Sequence, residues 1–172
     1  MRMNARGFSI VEVMAVVVIF GIIATLAVAG VVKYLSRSKT PEATTTLAAL
    51  ENGSRVSFQV QQDTSGTGTG PFVHLFCSSA TAKVPTAIPR AQRVMADWSA
   101  ETWKCLKFTM TSQQYYQYDY QSSGANTGAV YYAYAYGDLD GDGTLSTYVV
   151  KGVGGPRGES VRESMTVTME DE

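Results

Sequence analysis

The sequence has few of the residues that enzymes use for nucleophilic or acid–base chemistry. It contains one histidine, His74, and two cysteines among 172 residues. No serine or cysteine stands in a recognisable nucleophile turn such as the G-x-S-x-G elbow. Its acids cluster in the Asp138–Asp142 loop and at residues 170–172. We therefore predict a protein that is not an enzyme.

A basic surface that would attract nucleic acid is also missing. Lysine and arginine number 14 against 15 aspartates and glutamates, which gives a formal net charge of −1. After residue 32 no basic cluster follows apart from Lys33, Arg37 and Lys39. This balance argues against nucleic acid as a partner.

Charge is absent from residues 13–32, which are apolar except for small residues and Thr25. As a helix, this run is long enough to cross about 30 Å of hydrocarbon. Arg2 and Arg6 precede it without any acid, which predicts a cytoplasmic N-terminus. In a secretory signal the apolar run comes before the cut, whereas here it follows the candidate cut after Gly7. The segment should therefore stay in the mature protein as an anchor.

The segment Gly7-Phe8-Ser9-Ile10-Val11-Glu12, with its basic leader, resembles the N-terminus of a type IV pilin or pseudopilin. The resemblance implies that a prepilin peptidase cuts after Gly7 and that the new amine of Phe8 is methylated. It also implies that Glu12 pairs with a neighbouring subunit's amine during assembly, because each charge alone is costly in apolar surroundings. The alternative is an ordinary single-pass anchor with a glutamate at its edge.

A long helix is predicted over Phe8–Gln61, with a bend near residue 40. Pro41 cannot donate a backbone hydrogen bond, and Thr40 before it is typical of a helix cap. The glycine- and proline-rich segment Asp63–Pro71 ends the helix. The predicted organisation is a leader removed by the peptidase (1–7), a transmembrane and filament-core helix (8–32), its continuation into the globular domain (33–62) and a pilin-type head (63–172).

An antiparallel sheet is predicted for the second half of the chain, after an irregular segment over Pro71–Trp103. The first strand should begin at Cys105, because apolar and polar residues alternate over residues 106–111. Further strands are expected at 115–121, 129–136, 145–151 and 161–169. The fold class is therefore α+β, with the second half of the long helix packed on four or five strands.

Two cysteines outside the cytoplasm most simply form a disulfide, so Cys77 and Cys105 are predicted to pair. The alternative is a metal site made by both thiols and His74. That site lacks a fourth ligand.

The stretch 138–144 places acids at positions one, three and five of a calcium-loop pattern and glycine at position six. The glutamate expected at position twelve is replaced by Val149. No cofactor is required, and the loop is either a calcium site or a solvated Asp-Gly turn. Its candidate ligands are Asp138, Asp140, Asp142 and Thr144.

Eight of the ten tyrosines lie between Tyr115 and Tyr136. We predict that they form cross-strand aromatic pairs, with an adhesive aromatic surface as the alternative. Trp98 and Trp103 are predicted to be core or groove residues.

These features together indicate a type IV pilus-like filament subunit, cleaved, N-methylated and polymerised through its N-terminal helix. A type II secretion pseudopilin or a minor pilin is the nearest alternative, and a membrane-tethered binding or adhesion module that does not polymerise is the alternative of another class. Expected partners are other pilin subunits, the prepilin peptidase, the inner-membrane assembly machinery and the membrane. The precursor should lie in the inner membrane and the filament in the periplasm or outside the cell.

Overall fold

The structure is a computed structural model that describes residues 7–65 and 67–168, and it has the predicted α+β class. Within the described residues the helices are α1 (Ile10–Arg37), α2 (Thr40–Gln59) and α3 (Glu101–Cys105), and a short 3-10 turn spans Asn126–Gly128. The strands are β1 (Gln61–Asp63), β2 (Phe72–His74), β3 (Tyr116–Ser123), β4 (Val130–Gly137), β5 (Ser146–Gly154) and β6 (Ser160–Thr168). Leader residues 1–6, the predicted strand end at Met169 and the acidic residues 170–172 lie outside this description.

The predicted helix is interrupted where Pro41 requires it. Helix α1 ends at Arg37 and α2 begins at Thr40. Pro41 has no amide hydrogen to donate to the carbonyl of Arg37, so the helical hydrogen-bond ladder cannot continue. The predicted cap at Thr40 is wrong by one position, because Lys39 occupies the N-cap and Thr40 is already helical.

The helix also ends earlier than predicted, and a small hairpin follows it. Val60 has an extended backbone, with φ −86° and ψ 119°, so Gln61 belongs to β1 and not to the helix. Strand β1 pairs with β2 in an antiparallel register that sets Gln61 opposite His74. The segment between them contains the glycines and the proline that were predicted to form a loop.

Strands β3 to β6 form the predicted antiparallel meander, in which each strand pairs with the next. The register sets Tyr118 opposite Ala135 and Tyr120 opposite Ala133. No tyrosine of β3 is therefore directly opposite a tyrosine of β4, but cross-strand pairing occurs diagonally, where Tyr120 stacks on Tyr131 with ring centroids 5.8 Å apart. The tyrosines of β3 point to the inner face and are fully buried, whereas Tyr132, Tyr134 and Tyr136 of β4 point to the outer face and are half-buried.

The prediction of a strand that begins at Cys105 is wrong. Residues 101–105 form α3, and Lys107 has a left-handed backbone (φ 53°) that turns the chain away from both helix and strand. Leu106 is buried and Lys107 exposed, so burial alternates here without strand pairing. Alternating burial shows that one side of a segment contacts the core. An irregular segment can make such a contact as well as a strand can.

The predicted disulfide is present and ties α3 to the segment that precedes it. Cys77 and Cys105 are bonded, and their Cα atoms are 5.8 Å apart. A loop of this length stabilises the fold by about 3–4 kcal/mol in the chain-entropy model. Because both sulfurs are bonded, the alternative metal site with His74 is excluded.

Helix α2 covers the inner face of the sheet and supplies much of the core. Leu47, Leu50 and Phe58 are fully buried. The hydroxyls of Ser54 and Tyr120 are 2.9 Å apart, which connects the helix to β3. The Arg162 Nε donates to the Glu51 carboxylate at 2.7 Å, which connects the helix to β6.

Gly53 lets α2 approach the chain that follows α3. A Cβ atom at this position would lie 2.2 Å from the carbonyl oxygen of Leu106, a backbone atom that cannot move aside.

We expect Gly53→Ala to destabilise the head by about 1–3 kcal/mol, as overpacking commonly does. On an exposed helix the same substitution would stabilise by about 1 kcal/mol. Thermal unfolding of the purified chain shows whether Gly53→Ala lowers or raises the free energy of unfolding. Asn52→Ala, on the exposed side of α2, is the control. A more stable Gly53→Ala protein would contradict the packing described here.

Candidate functional site: the N-terminal helix and the acidic loop

The predicted cleavage site lies on exposed chain just before α1. Gly7 and Phe8 are exposed, and the Phe8 side chain is 78% accessible. Ser9 has an extended backbone and is the N-cap of the helix. A peptidase could therefore reach the bond between Gly7 and Phe8 without unwinding α1.

Ser9 caps the start of the helix through the backbone amide of Glu12. The Ser9 side chain accepts a hydrogen bond from the Glu12 amide at 3.2 Å. Serine at the N-cap and glutamate three residues later form the sequence pattern of a capping box. Glutamine satisfies this pattern as well as glutamate does. A capping role therefore needs the side-chain oxygen at this position and not its charge.

Helix α1 presents an apolar surface on all sides. Each side chain described between Ile10 and Leu35 is exposed, including Phe20 and Leu26. The segment Ile10–Val28 is long and apolar enough to cross a membrane, by length and composition. The one hydroxyl within it, on Thr25, donates to the Ile22 carbonyl at 2.7 Å and so is satisfied inside the helix.

The acidic loop between β4 and β5 brings three carboxylates together. One oxygen from each of Asp138, Asp140 and Asp142 lies within 4.8 Å of the others. Calcium binds oxygen at about 2.3–2.6 Å, so two ligands of one ion are at most about 5 Å apart. The spacing therefore fits a single cation. Gly141 and Gly143 have φ values of +86° and +96°, which favour glycine and fold the loop on itself.

The first carboxylate of the loop differs from the other two in its surroundings. Asp138 is buried, and its Oδ2 has no hydrogen-bond donor among the described residues. The Arg90 Nε lies 3.8 Å from this oxygen. Asp142 is exposed, and hydrogen bonds from Thr144 lower its pKa. A buried carboxylate oxygen without a donor is costly, which makes Asp138 suited to a metal.

The outer tyrosines form a stacked column along β4. The ring centroids of Tyr132 and Tyr134 are 6.1 Å apart, and those of Tyr134 and Tyr136 are 5.8 Å apart. Lys83 lies over the Tyr136 ring at 4.2 Å and Lys151 over the Tyr132 ring at 5.9 Å. The ring faces are thus turned to each other and to two ammonium groups, so the column is accounted for by packing.

Other residues singled out in the sequence are structural. Trp98 and Trp103 are both buried in the core, with ring centroids 4.8 Å apart. The His74 Nδ1 lies 2.7 Å from the Phe58 carbonyl, so the ring donates to the end of α2.

One group at the junction of α1 with the head was not found from the sequence. The Tyr115 ring lies between the Lys39 ammonium, 4.9 Å from its centroid, and the Arg93 guanidinium, 4.8 Å from it. The Lys39 Nζ also donates to the carbonyl of Leu139 at 2.9 Å, which joins the helix junction to the acidic loop. No short-range sequence pattern links these residues.

Comparison with known proteins agrees with the predicted N-terminus. Residues 2–28 match the family model of the prokaryotic N-terminal methylation motif, and this segment contains Gly7, Phe8 and Glu12. Over 53 residues the chain is 43% identical to the type IV major pilin protein PilA of Myxococcus xanthus (strain DK1622). That alignment covers 31% of this chain and 24% of the relative, so the match spans about a quarter of the relative's length. No solved structure matches the chain. The chain therefore carries a prepilin-type N-terminus, and the resemblance to type IV pilins is confirmed there.

Proposed function

We propose that this protein is a subunit of a type IV pilus-like filament, cleaved, N-methylated and polymerised through α1. The observation that carries the proposal is the contrast between its two long helices. Helix α2 packs on the head and buries Leu47, Leu50 and Phe58, whereas the described side chains of α1 from Ile10 to Leu35 are exposed and almost all apolar. Each large aliphatic side chain gains about 1.5–3 kcal/mol on burial, so α1 requires a covering. A membrane covers it in the precursor, and other α1 helices cover it in the filament.

The proposed assembly contact uses two charges at the start of α1. Cleavage after Gly7 frees the amine of Phe8, and Glu12 lies three residues, nearly one helical turn, beyond the Ser9 N-cap. A cation and a carboxylate that neutralise each other across a subunit boundary remove two costly charges from apolar surroundings. The pair therefore favours one axial position of each subunit relative to the next.

Two alternatives remain open. A type II secretion pseudopilin or a minor pilin would use the same N-terminus and helix, and would differ in the filament that it joins. A membrane-tethered binding or adhesion module would keep α1 in the membrane permanently and would not use Glu12. The proposed role is structural and not catalytic, in the inner membrane first and then in a periplasmic or extracellular filament.

The precursor should be cut between Gly7 and Phe8, with a methyl group on the Phe8 amine. Only at this position does the basic leader meet the apolar run. Mass spectrometry of the mature N-terminus in cells with and without the prepilin peptidase tests this. A retained Met1, or a cut beyond the apolar run, would overturn the proposal.

Substitution of Glu12 separates the assembly role from the capping role. Glu12→Gln keeps the capping-box pattern and removes the charge, whereas Glu12→Asp keeps the charge. If the charge pairs across subunits, both Glu12→Gln and Glu12→Ala should lose filaments, at a cost of about 3–5 kcal/mol per contact. Glu12→Asp should retain more filaments than either. Electron microscopy of sheared filaments measures the filament yield, and immunoblots of the inner membrane measure the amount of protein that accumulates there.

The same experiment decides between the classes of function. A filament subunit with Glu12→Gln should accumulate in the membrane, cleaved and folded, without filaments. Normal filament yield from Glu12→Gln as the sole subunit would show that charge at this position is dispensable. A tethered module would keep its activity in every variant.

We also propose that the acidic loop binds calcium. The support is the buried Asp138 Oδ2, which has no hydrogen-bond donor among the described residues, together with the fit of three carboxylates to one ion. Asp138, Asp140 and Asp142 would hold the ion, and the carbonyl at Thr144 occupies the position that supplies a backbone oxygen in such loops. The ion would fix the loop that also accepts the Lys39 hydrogen bond.

Calcium should raise the melting temperature of the purified full chain by several degrees relative to EGTA. A ligand present at about 100 times its dissociation constant stabilises the folded state by about 2.7 kcal/mol. Asp140→Asn should remove the response. Asp97→Asn is the matched control, because Asp97 is an exposed acid that likewise accepts a backbone amide two residues on. Equal melting curves in calcium and EGTA would show that the loop is an ordinary turn and does not bind calcium.

A further inference from the structure

A small open cavity lies where α1 joins the head. Its volume is about 420 Å³, and Leu35, Ser38, Lys39, Glu42, Arg93 and Tyr115 line it. The Lys39 ammonium lies 4.9 Å and the Arg93 guanidinium 4.8 Å from the centroid of the Tyr115 ring, so contact with one ring holds both cations beside the cavity. Such preorganisation lowers the entropy lost when a ligand binds both cations in the cavity.

The carboxylate in this cavity is engaged by the head. Glu42 accepts hydrogen bonds from the amides of Tyr115 and Tyr116, at 2.8 and 3.3 Å, and from the Tyr118 hydroxyl at 3.4 Å. Burial raises the pKa of Glu42, although these hydrogen bonds and the charge of Arg93 oppose the increase. The Glu42 charge is thus directed to donors of the head, while Arg93 remains exposed to solvent.

If residues 13–32 occupy the hydrocarbon, the cavity lies at the outer edge of the lipid headgroups, with Leu35 within that layer and Lys39 just outside it. A helix rises 1.5 Å per residue, so Leu35 is about 5 Å and Lys39 about 10 Å beyond Val32. The headgroup layer on each side of a bilayer is about 5–7 Å thick. The long side chains of Lys39 and Arg93 can reach it from above. Tyr34, which is 72% exposed, lies where aromatic residues commonly meet the membrane surface.

We propose that Lys39, Tyr115 and Arg93 form a docking site for the phosphate of an anionic phospholipid, occupied while the protein is in the membrane. The proposal rests on the membrane-anchored precursor proposed above. A guanidinium binds phosphate through two parallel hydrogen bonds, and an ammonium adds a point charge. The occupied site would hold the head against the bilayer on one side of α1.

The acidic loop nearby could also influence lipid binding, and the experiment must distinguish its contribution from that of Lys39 and Arg93. Asp140 and Asp142 are exposed and repel an anionic headgroup, while calcium bound there could bridge to phosphate. Binding is therefore measured in EGTA as well as in calcium. The proposed site should act in EGTA, because its own two cations contact the lipid.

Native mass spectrometry of the full chain tests the proposal, with mixed micelles that contain equal amounts of phosphatidylglycerol and phosphatidylcholine. The wild-type protein should retain phosphatidylglycerol in preference to phosphatidylcholine in EGTA. The double variant Lys39→Gln/Arg93→Gln should lower that preference at least fivefold. Lys104→Gln/Lys107→Gln removes the same charge elsewhere on the head and should leave the preference unchanged.

A second variant keeps the test informative if the double variant is poorly folded. Lys39 also donates to the Leu139 carbonyl, so Arg93→Gln is measured alone and should lower the preference about fivefold. No preference for phosphatidylglycerol in the wild type, equal loss in the control pair, or a preference seen only with calcium would each overturn the site. Loss of filaments by Arg93→Gln with unchanged lipid retention would assign the cluster to a subunit contact and would also overturn it.

Failure of this site is distinguishable from failure of the proposed function. Resistance to extraction from membranes by alkaline carbonate reports anchoring by α1. An anchored protein without lipid preference refutes the headgroup site alone. A protein that is extracted by carbonate refutes the anchored precursor.

Discussion

Packing of α2 against the inner face of the sheet is the interaction on which the rest of the structure depends. This packing connects α2 to both outer strands of the meander. Ser54 contacts Tyr120 of β3, and Glu51 contacts Arg162 of β6. Gly53 lets the helix lie close to the turn after α3, which the disulfide joins to Cys77. With α2 held in this way, α1 can only project from the head.

Much of this architecture could be predicted because it depends on local signals. Twenty uncharged and almost wholly apolar residues predict a helix long enough to cross a membrane. Pro41 interrupts the helix by removing a hydrogen-bond donor. The meander follows from short strands joined by glycine-rich turns. Two cysteines allow a single pairing, and the disulfide follows if the domain lies outside the cytoplasm. The methylation motif is recognisable because Gly7, Phe8 and Glu12 have a fixed spacing.

The errors arise where one pattern has two physical origins. Alternating burial after Cys105 comes from contact with the core and not from a sheet, and a left-handed lysine at position 107 has no sequence signal. Strand register decides which tyrosines face each other, and a shift of one residue reverses the faces. The cluster around Tyr115 unites residues from the helix junction, a loop and the approach to β3. Its closest contact to Glu42 joins positions 73 apart.

The position of Ser9 has a consequence for how α1 helices can lie side by side. The amide dipoles of a helix place about half a positive charge at its N-terminus. Cleavage after Gly7 would add a cationic amine one residue before the N-cap, at the same end. Two such helices packed in parallel and level with each other bring like charges together. Displacement of one along the axis brings its amine toward the other's Glu12, so the field of the helix itself favours a staggered, polar polymer over a level bundle.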